Sequence, residues 1–302
     1  MYTFAQRLKL TAFALMGLGI IGLAIGFISA PSTVEEAQAM VADAHGGHGD
    51  AHATDSHDIN ASQHSEEKHH DTHATADAHG EHHDDAHAEH LLHQLQNKPW
   101  AALYVAAFFF FMIALGTLAF YAIQRAAQAG WPILLLRVME GITAYLVPGS
   151  IIIYVILVFT GLHFNHLFVW MDAETVAHDE IIQAKVGYLN VPFFLIRAAI
   201  YLLGWNAYRY FSRKFSLAQD NAAAGDISNH KKNFRISAAF LVFFFVTESM
   251  MAWDWIMSLD PHWFSTLFGW YVLASMLVTA VTVIALISIY LKSKGYLPKV
   301  NH

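Results

Sequence analysis

Cysteine is absent from the 302 residues. Iron–sulfur clusters, covalently attached c-type haem and disulfides are therefore excluded from anything this chain holds alone. The alternation of apolar and polar residues that marks a membrane β-barrel, in segments of about 10 residues, is also missing. No histidine lies deep in an apolar run. A bis-histidine haem b, which needs imidazoles facing each other across two helices, thus has no ligands here.

What is present is apolar sequence in blocks. Hydrophobic residues make up 56% of the chain, against about 45–50% in soluble domains. Six runs, at 10–29, 100–123, 133–162, 190–211, 236–259 and 268–291, are each long enough to cross about 30 Å of hydrocarbon as a helix. The fold class expected is an all-α polytopic membrane protein. The first run follows Arg7 and Lys9 but lacks a small-x-small cleavage site before Pro31, so it reads as an uncleaved anchor rather than a signal peptide. The expected organisation is an anchor over 1–30, a polar loop over 31–95, a four-helix bundle over 96–260, and a turn with a sixth helix over 261–302.

Basic residues set the orientation. Arg7 and Lys9, Arg125, the group Arg213, Lys214, Lys231, Lys232 and Arg235, and finally Lys292, Lys294 and Lys299 fall on one side of alternating spans. Only Lys68, Lys98 and Lys185 run against the pattern. The positive-inside rule then places the N-terminus in the cytoplasm, with the 30–99 loop and the Asp260-Pro-His-Trp turn on the opposite, periplasmic side.

Residues 45–93 hold 14 of the 20 histidines and 11 acidic residues, with one lysine. Such polarity without apolar periodicity cannot bury a core, and a solvated tether without regular structure is expected. Weak metal binding by closely spaced imidazoles, for example His69, His70, His82 and His83, is a competing reading. A dedicated metal-delivery role is a third.

Charges inside a bilayer are costly and usually face a partner or a water-filled path. Arg137 and Glu140 stand three apart on one helix face and can pair. Tyr154 comes near the same face, beyond a kink at Pro148-Gly149. Arg197 and Asp254 lie in the outer part of their helices, where they could form a buried ion pair. Glu248, near the middle of its helix, has no cation three or four residues away. A central carboxyl without a local partner either keeps its proton or shares it with a relay. Glu140, Tyr154, Glu248 and Asp254 are therefore candidate proton stations, with Arg137 and Arg197 as buried charge partners. His163, His166, Asp260 and His262, at the outer ends, are candidates for a periplasmic-side pocket.

The stretch TESMMAWDWIMSLDPHWFSTLFGWYVLASM, with RVMEGI and KVGYLN before it, resembles the NrfD/polysulfide-reductase-like integral subunits of alternative complex III, and more the smaller of the two. The resemblance covers roughly 95–302. It implies two four-helix bundles with flanking helices, of which this chain would supply the first, and so a C-terminally incomplete chain. It implies a quinol:cytochrome c oxidoreductase complex with an iron–sulfur protein, multihaem cytochromes c and a larger NrfD-like subunit as partners, in contact with membrane lipid and with no nucleic acid. The subunit would hold no redox cofactor itself and would not be an enzyme alone. Menaquinone or ubiquinone would be its ligand if it forms a quinone pocket. A proton or divalent-metal transporter, with the histidine-rich loop as collector, and a purely structural anchor are the alternatives.

Overall fold

The computed structural model describes residues 6–46 and 78–297, and every regular element among them is helical. In chain order these are α1 (Gln6–Ile28), α2 (Val34–Gly46), α3 (Ala78–Ala126), α4 (Leu136–Ile142), α5 (Leu146–Gly161), α6 (Ala173–His178), α7 (Glu180–Gln183), α8 (Val191–Asp220), α9 (Ser228–Trp255) and α10 (Phe268–Ser293). Six segments are long and apolar enough to cross a membrane: Leu8–Ile28, Leu92–Ala126, Leu136–Gly161, Val191–Asp220, Ser228–Leu259 and Phe268–Ser293. The protein is an all-α polytopic membrane protein, and each span coincides with one of the six apolar runs.

The chain divides into two compact units, Met1–Pro99 and Trp100–His302. In the first, the expected tether is helical at both of its ends, which corrects the reading of 31–95 as a segment without regular structure. Local chemistry explains the difference. Thr33 Oγ1 accepts from the Glu36 N–H, and the Glu36 carboxylate accepts from the Ser32 N–H and hydroxyl, so α2 begins with its orphan donors satisfied. Alanine at 37, 39, 42 and 44 then favours helix. Gln96 Nε2 donates to Pro31 O at 3.1 Å, and Ala37 and Leu95 are buried. Residues 47–77, with His69 and His70, lie outside the described residues. His82 and His83 fall within α3, and their side chains lie outside the description as well.

The second unit is a bundle of the C-terminal part of α3 with α4–α5, α8, α9 and α10. Helices α3, α8 and α10 end, and α4 and α9 begin, at one end, which carries the Lys and Arg; it is called the basic end below. The third span is not one continuous helix. A 3₁₀ turn over Thr143–Tyr145 separates α4 from α5. Pro148 causes it: its ring opposes the carbonyl of Ala144, and it has no N–H to return.

The core is aromatic. Trp255 packs against Phe108, Phe111, Tyr201 and Trp205 with ring centroids 6.1–6.2 Å apart. Gly116 brings α3 against α10: a Cβ there would lie 2.7 Å from the Met276 carbonyl oxygen. The outward faces carry exposed Val242, Val278, Leu203 and Ile289, the surface a lipid-facing helix needs.

Candidate functional site

At the basic end Glu140 is 4% exposed although it sits in a seven-residue helix. Arg137 Nη1 donates to its Oε2 at 2.6 Å, so the i, i+3 pair read from the sequence is formed. Arg137 Nη2 reaches across to the Ser216 carbonyl and to the Asp220 carboxylate of α8. Tyr121 on α3 donates to Glu140 Oε1 at 3.1 Å. Arg213 and Arg125 approach the same carboxylate at 3.8 and 4.0 Å.

A chain of polar groups leads inward from there. Ser212 Oγ donates to Asn233 Oδ1 at 2.7 Å, and Asn233 Nδ2 donates to Tyr121 Oη at 3.4 Å. Tyr208 Oη and Ser237 Oγ lie 2.7 Å apart, and Ser237 also donates to the Asn233 carbonyl. The sequence reading, looking for charge, passed over these neutral residues. The signal was there: Ser212 and Ser216 on α8, and Asn233 and Ser237 on α9, each stand four apart in otherwise apolar helices. Small and amide side chains so placed bond across helices.

At the opposite end Arg197 and Asp254 form a bidentate pair, Nε to Oδ2 at 2.8 Å and Nη2 to Oδ1 at 2.9 Å. Arg197 Nη1 donates to the Tyr188 carbonyl at 3.1 Å, and Tyr201 Oη donates to Asp254 Oδ2 at 3.1 Å. The guanidinium also lies over the rings of Tyr188 and Phe193, 3.9 and 4.2 Å from their centroids, a cation–π arrangement. Tyr188, just outside its span, has its phenol pushed above the ordinary range, first by burial and then by the Asp254 charge.

Glu248 lies between these two networks. It is 1% exposed, and its Oε1 is buried with no hydrogen-bond partner. It stands eleven residues from Ser237 and six from Asp254 along α9, or roughly 16 and 9 Å of helix rise. Phe244, Met251 and Trp255 share its face at helical spacing, and all three are buried. Beside it, Trp205 Nε1 donates to Thr247 Oγ1 at 3.0 Å. Glu140 and Asp254 are thus held by arginines, whereas Glu248 is not.

The remaining candidates are dispersed. Tyr154 lines an apolar groove of about 440 Å³ between α5 and α8, with Ser150 and Asn206 as neighbours; the break at Thr143–Tyr145 separates it from Glu140. His163, two residues past the end of α5, has its side chain exposed and φ at 61°. His166 is near enough to Asp172 for its charge to act there; the Asp172 carboxyl is held below its ordinary value chiefly by the Thr175 hydroxyl. His262 Nε2 meets Asp179 Oδ2 at 2.6 Å, with Asp260 Oδ1 3.9 Å from Nδ1. Of the four periplasmic-side candidates, the Asp260 and His262 side chains come within 3.9 Å of each other; Asp179, the partner of His262 from the 162–190 loop, was not foreseen. Asp179 also caps α7, accepting from the Ile181 and Ile182 N–H groups, and the Ile182 bond is the main reason its carboxyl sits below the ordinary range. Among the described residues no group of three or more His, Asp or Glu is arranged to hold a metal ion.

Fold and site together define a polytopic helical membrane protein with arginine-held carboxylates towards both ends of its bundle and a lone buried carboxyl between them. No family model matches the chain, and no curated protein matches it.

Proposed function

We propose that the chain is an integral subunit of a respiratory quinol:cytochrome c oxidoreductase of the alternative complex III class, and that Glu248 carries protons through its bundle. The observation that supports this reading is Glu248 itself, wholly buried at mid-helix with an orphan carboxyl oxygen. Quinol oxidation releases two protons with two electrons, so a buried exchangeable carboxyl is chemically apt in such a subunit. The basic-end chain of Glu140, Tyr121, Ser212, Asn233, Ser237 and Tyr208 supplies hydroxyl and amide groups on the way in. Asp254, held by Arg197, serves as an electrostatic anchor beside the path rather than as a free station.

The wider setting belongs to the same proposal. The subunit sits in a bacterial inner membrane with its N-terminus in the cytoplasm, alongside an iron–sulfur protein, multihaem cytochromes c and a larger NrfD-like subunit. The α5–α8 groove, with Tyr154 as its one phenol on an apolar wall, has the character a menaquinone or ubiquinone would require.

The test is Glu248→Gln in the purified, reconstituted complex. It keeps volume and most hydrogen bonding and removes the exchangeable carboxyl. Assembly is expected to survive, while proton-coupled turnover or the proton stoichiometry falls. Unchanged coupled turnover in an assembled complex would refute the role.

A second reading, a structural anchor, is favoured by the Arg197–Asp254 pair, which ties α8 to α9, and by the Arg137–Glu140 pair within α4, which Asp220 ties to α8 and Tyr121 to α3. It accounts for those four residues and leaves Glu248 without a purpose.

A further inference from the structure

We propose that the basic end carries a binding site for the phosphate headgroup of an anionic phospholipid. The site is a pocket of about 230 Å³ where the end of α3, the turn after it, the first residue of α4 and the start of α9 meet. Gln124, Arg125, Gln128 and His230 line it, with Ile133 and Leu136 as an apolar wall. This inference does not depend on the function proposed above.

The charge around the pocket selects for an anion. Among the described residues no carboxylate lines it. Through Arg125 the pocket adjoins the Glu140 cluster, in which Arg125, Arg137 and Arg213 meet Glu140 and Asp220, three positive charges against two negative. Arg125 is held in place by Nε to Tyr121 Oη at 3.0 Å and Nη2 to Ser216 Oγ at 3.2 Å. Neither bond uses Nη1. A guanidinium fixed in this way is preorganised for phosphate oxygens, and the side-chain amides and an imidazole add further hydrogen-bond donors.

The backbone supports a role for Gln128. Its φ is 52°, the left-handed region at a helix C-terminus that glycine fills at least cost. A glutamine there keeps a long amide side chain at a position where the backbone would favour none, and that side chain lines the pocket.

The walls distinguish a lipid from a free phosphate. Ile133 and Leu136 continue the apolar span, and exposed Trp131 packs its ring against Phe120 at 6.4 Å. An exposed tryptophan at the end of a span marks the headgroup level of the bilayer. A ligand there has its phosphate among the donors and its acyl chains along the helix. Basic pockets between spans on the positive side bind such headgroups.

The experiment is native mass spectrometry of the full chain in detergent, titrated separately with phosphatidylglycerol, phosphatidylcholine and inorganic phosphate. A phosphatidylglycerol adduct is expected to form with at least about tenfold preference over phosphatidylcholine, a difference of about 1.4 kcal/mol. An excess of inorganic phosphate should leave the adduct in place. Gln128→Glu, which touches none of the Glu140 contacts, should abolish the preference, and His230→Glu should act alike. Equal binding of the two lipids, or a preference that survives both charge-introducing variants, overturns the site. Displacement of the lipid by an equal concentration of inorganic phosphate overturns its assignment to a lipid.

Discussion

Breaking the Arg197–Asp254 pair from one side should cost far more than removing it whole. The Arg197 and Asp254 side chains are 4% and 0% exposed, so neither charge can turn to water when its partner goes. At an effective dielectric of 20, two unit charges about 4 Å apart attract by about 4 kcal/mol. Loss of one partner from a buried pair is destabilising by about 3–5 kcal/mol. Asp254→Asn keeps an acceptor for Tyr201 and for one guanidinium nitrogen but removes the charge, so it should fall at the lower end of that range. Arg197→Met strands the carboxylate beside the phenols of Tyr201 and Tyr188, with no cation in reach among the described residues, and should fall at the upper end. The double variant Arg197→Met/Asp254→Leu leaves no buried charge, and replacement of this kind is commonly neutral or stabilising. The assay is reversible unfolding in mixed micelles, and the single variant Asp254→Leu, with Arg197→Met, the double variant and the unaltered chain, closes the double-mutant cycle. Single variants that each lose less than about 1 kcal/mol, the value of an exposed pair, would refute the reasoning.

Three further outcomes test the packing and the topology. Gly116→Ala should destabilise by about 1–3 kcal/mol, the usual cost of overpacking, because the nearest obstacle includes the Met276 carbonyl, which no rotamer can move. Gly141→Ala, with nothing within 4 Å of its added methyl, should be neutral or gain up to about 1 kcal/mol of helix propensity in the same unfolding assay. Single cysteines placed at Ala224 and Thr266 in this cysteine-free chain should react with an impermeant maleimide from opposite faces of the membrane. Labelling of both from one face would overturn the assignment of spans.

The spans were legible in the sequence because hydrocarbon imposes a single requirement, an unbroken apolar run with its backbone bonded internally. The pairs Arg137–Glu140 and Arg197–Asp254 were legible for a related reason: a buried charge must find its opposite, and few were on offer. What could not be read were contacts whose partners have no charge. Asn233 reaches Tyr121 across 112 residues, and nothing in either neighbourhood announces the other. The helical ends of the histidine-rich segment were missed on different grounds. Low hydrophobicity argues against a core, but α2 needs only its Thr33–Glu36 cap and a run of alanines to be helical. The 3₁₀ break was foreseen as a kink at Pro148 and occurs one turn earlier, where the carbonyl opposing the ring must move.

The distribution of partners decides which buried charges call for a functional account. Arg197 on α8 and Asp254 on α9 join two helices, and Glu140 joins α4 to α3 and α8 through Tyr121, Arg125 and Arg213. Each of these groups fixes the register of neighbours, and packing alone explains its presence. Glu248 joins nothing through an ion pair, since no salt bridge reaches it among the described residues, and its Oε1 has no donor. A carboxylate at the centre of a span costs about 2.5–3.5 kcal/mol on insertion scales. Glutamine would fill nearly the same volume and could bond the same neighbours without carrying that charge. Methionine would fill it without any polar group to satisfy. What a carboxyl does at this position that neither of them can is take up and release a proton, and Glu248→Gln isolates that one difference.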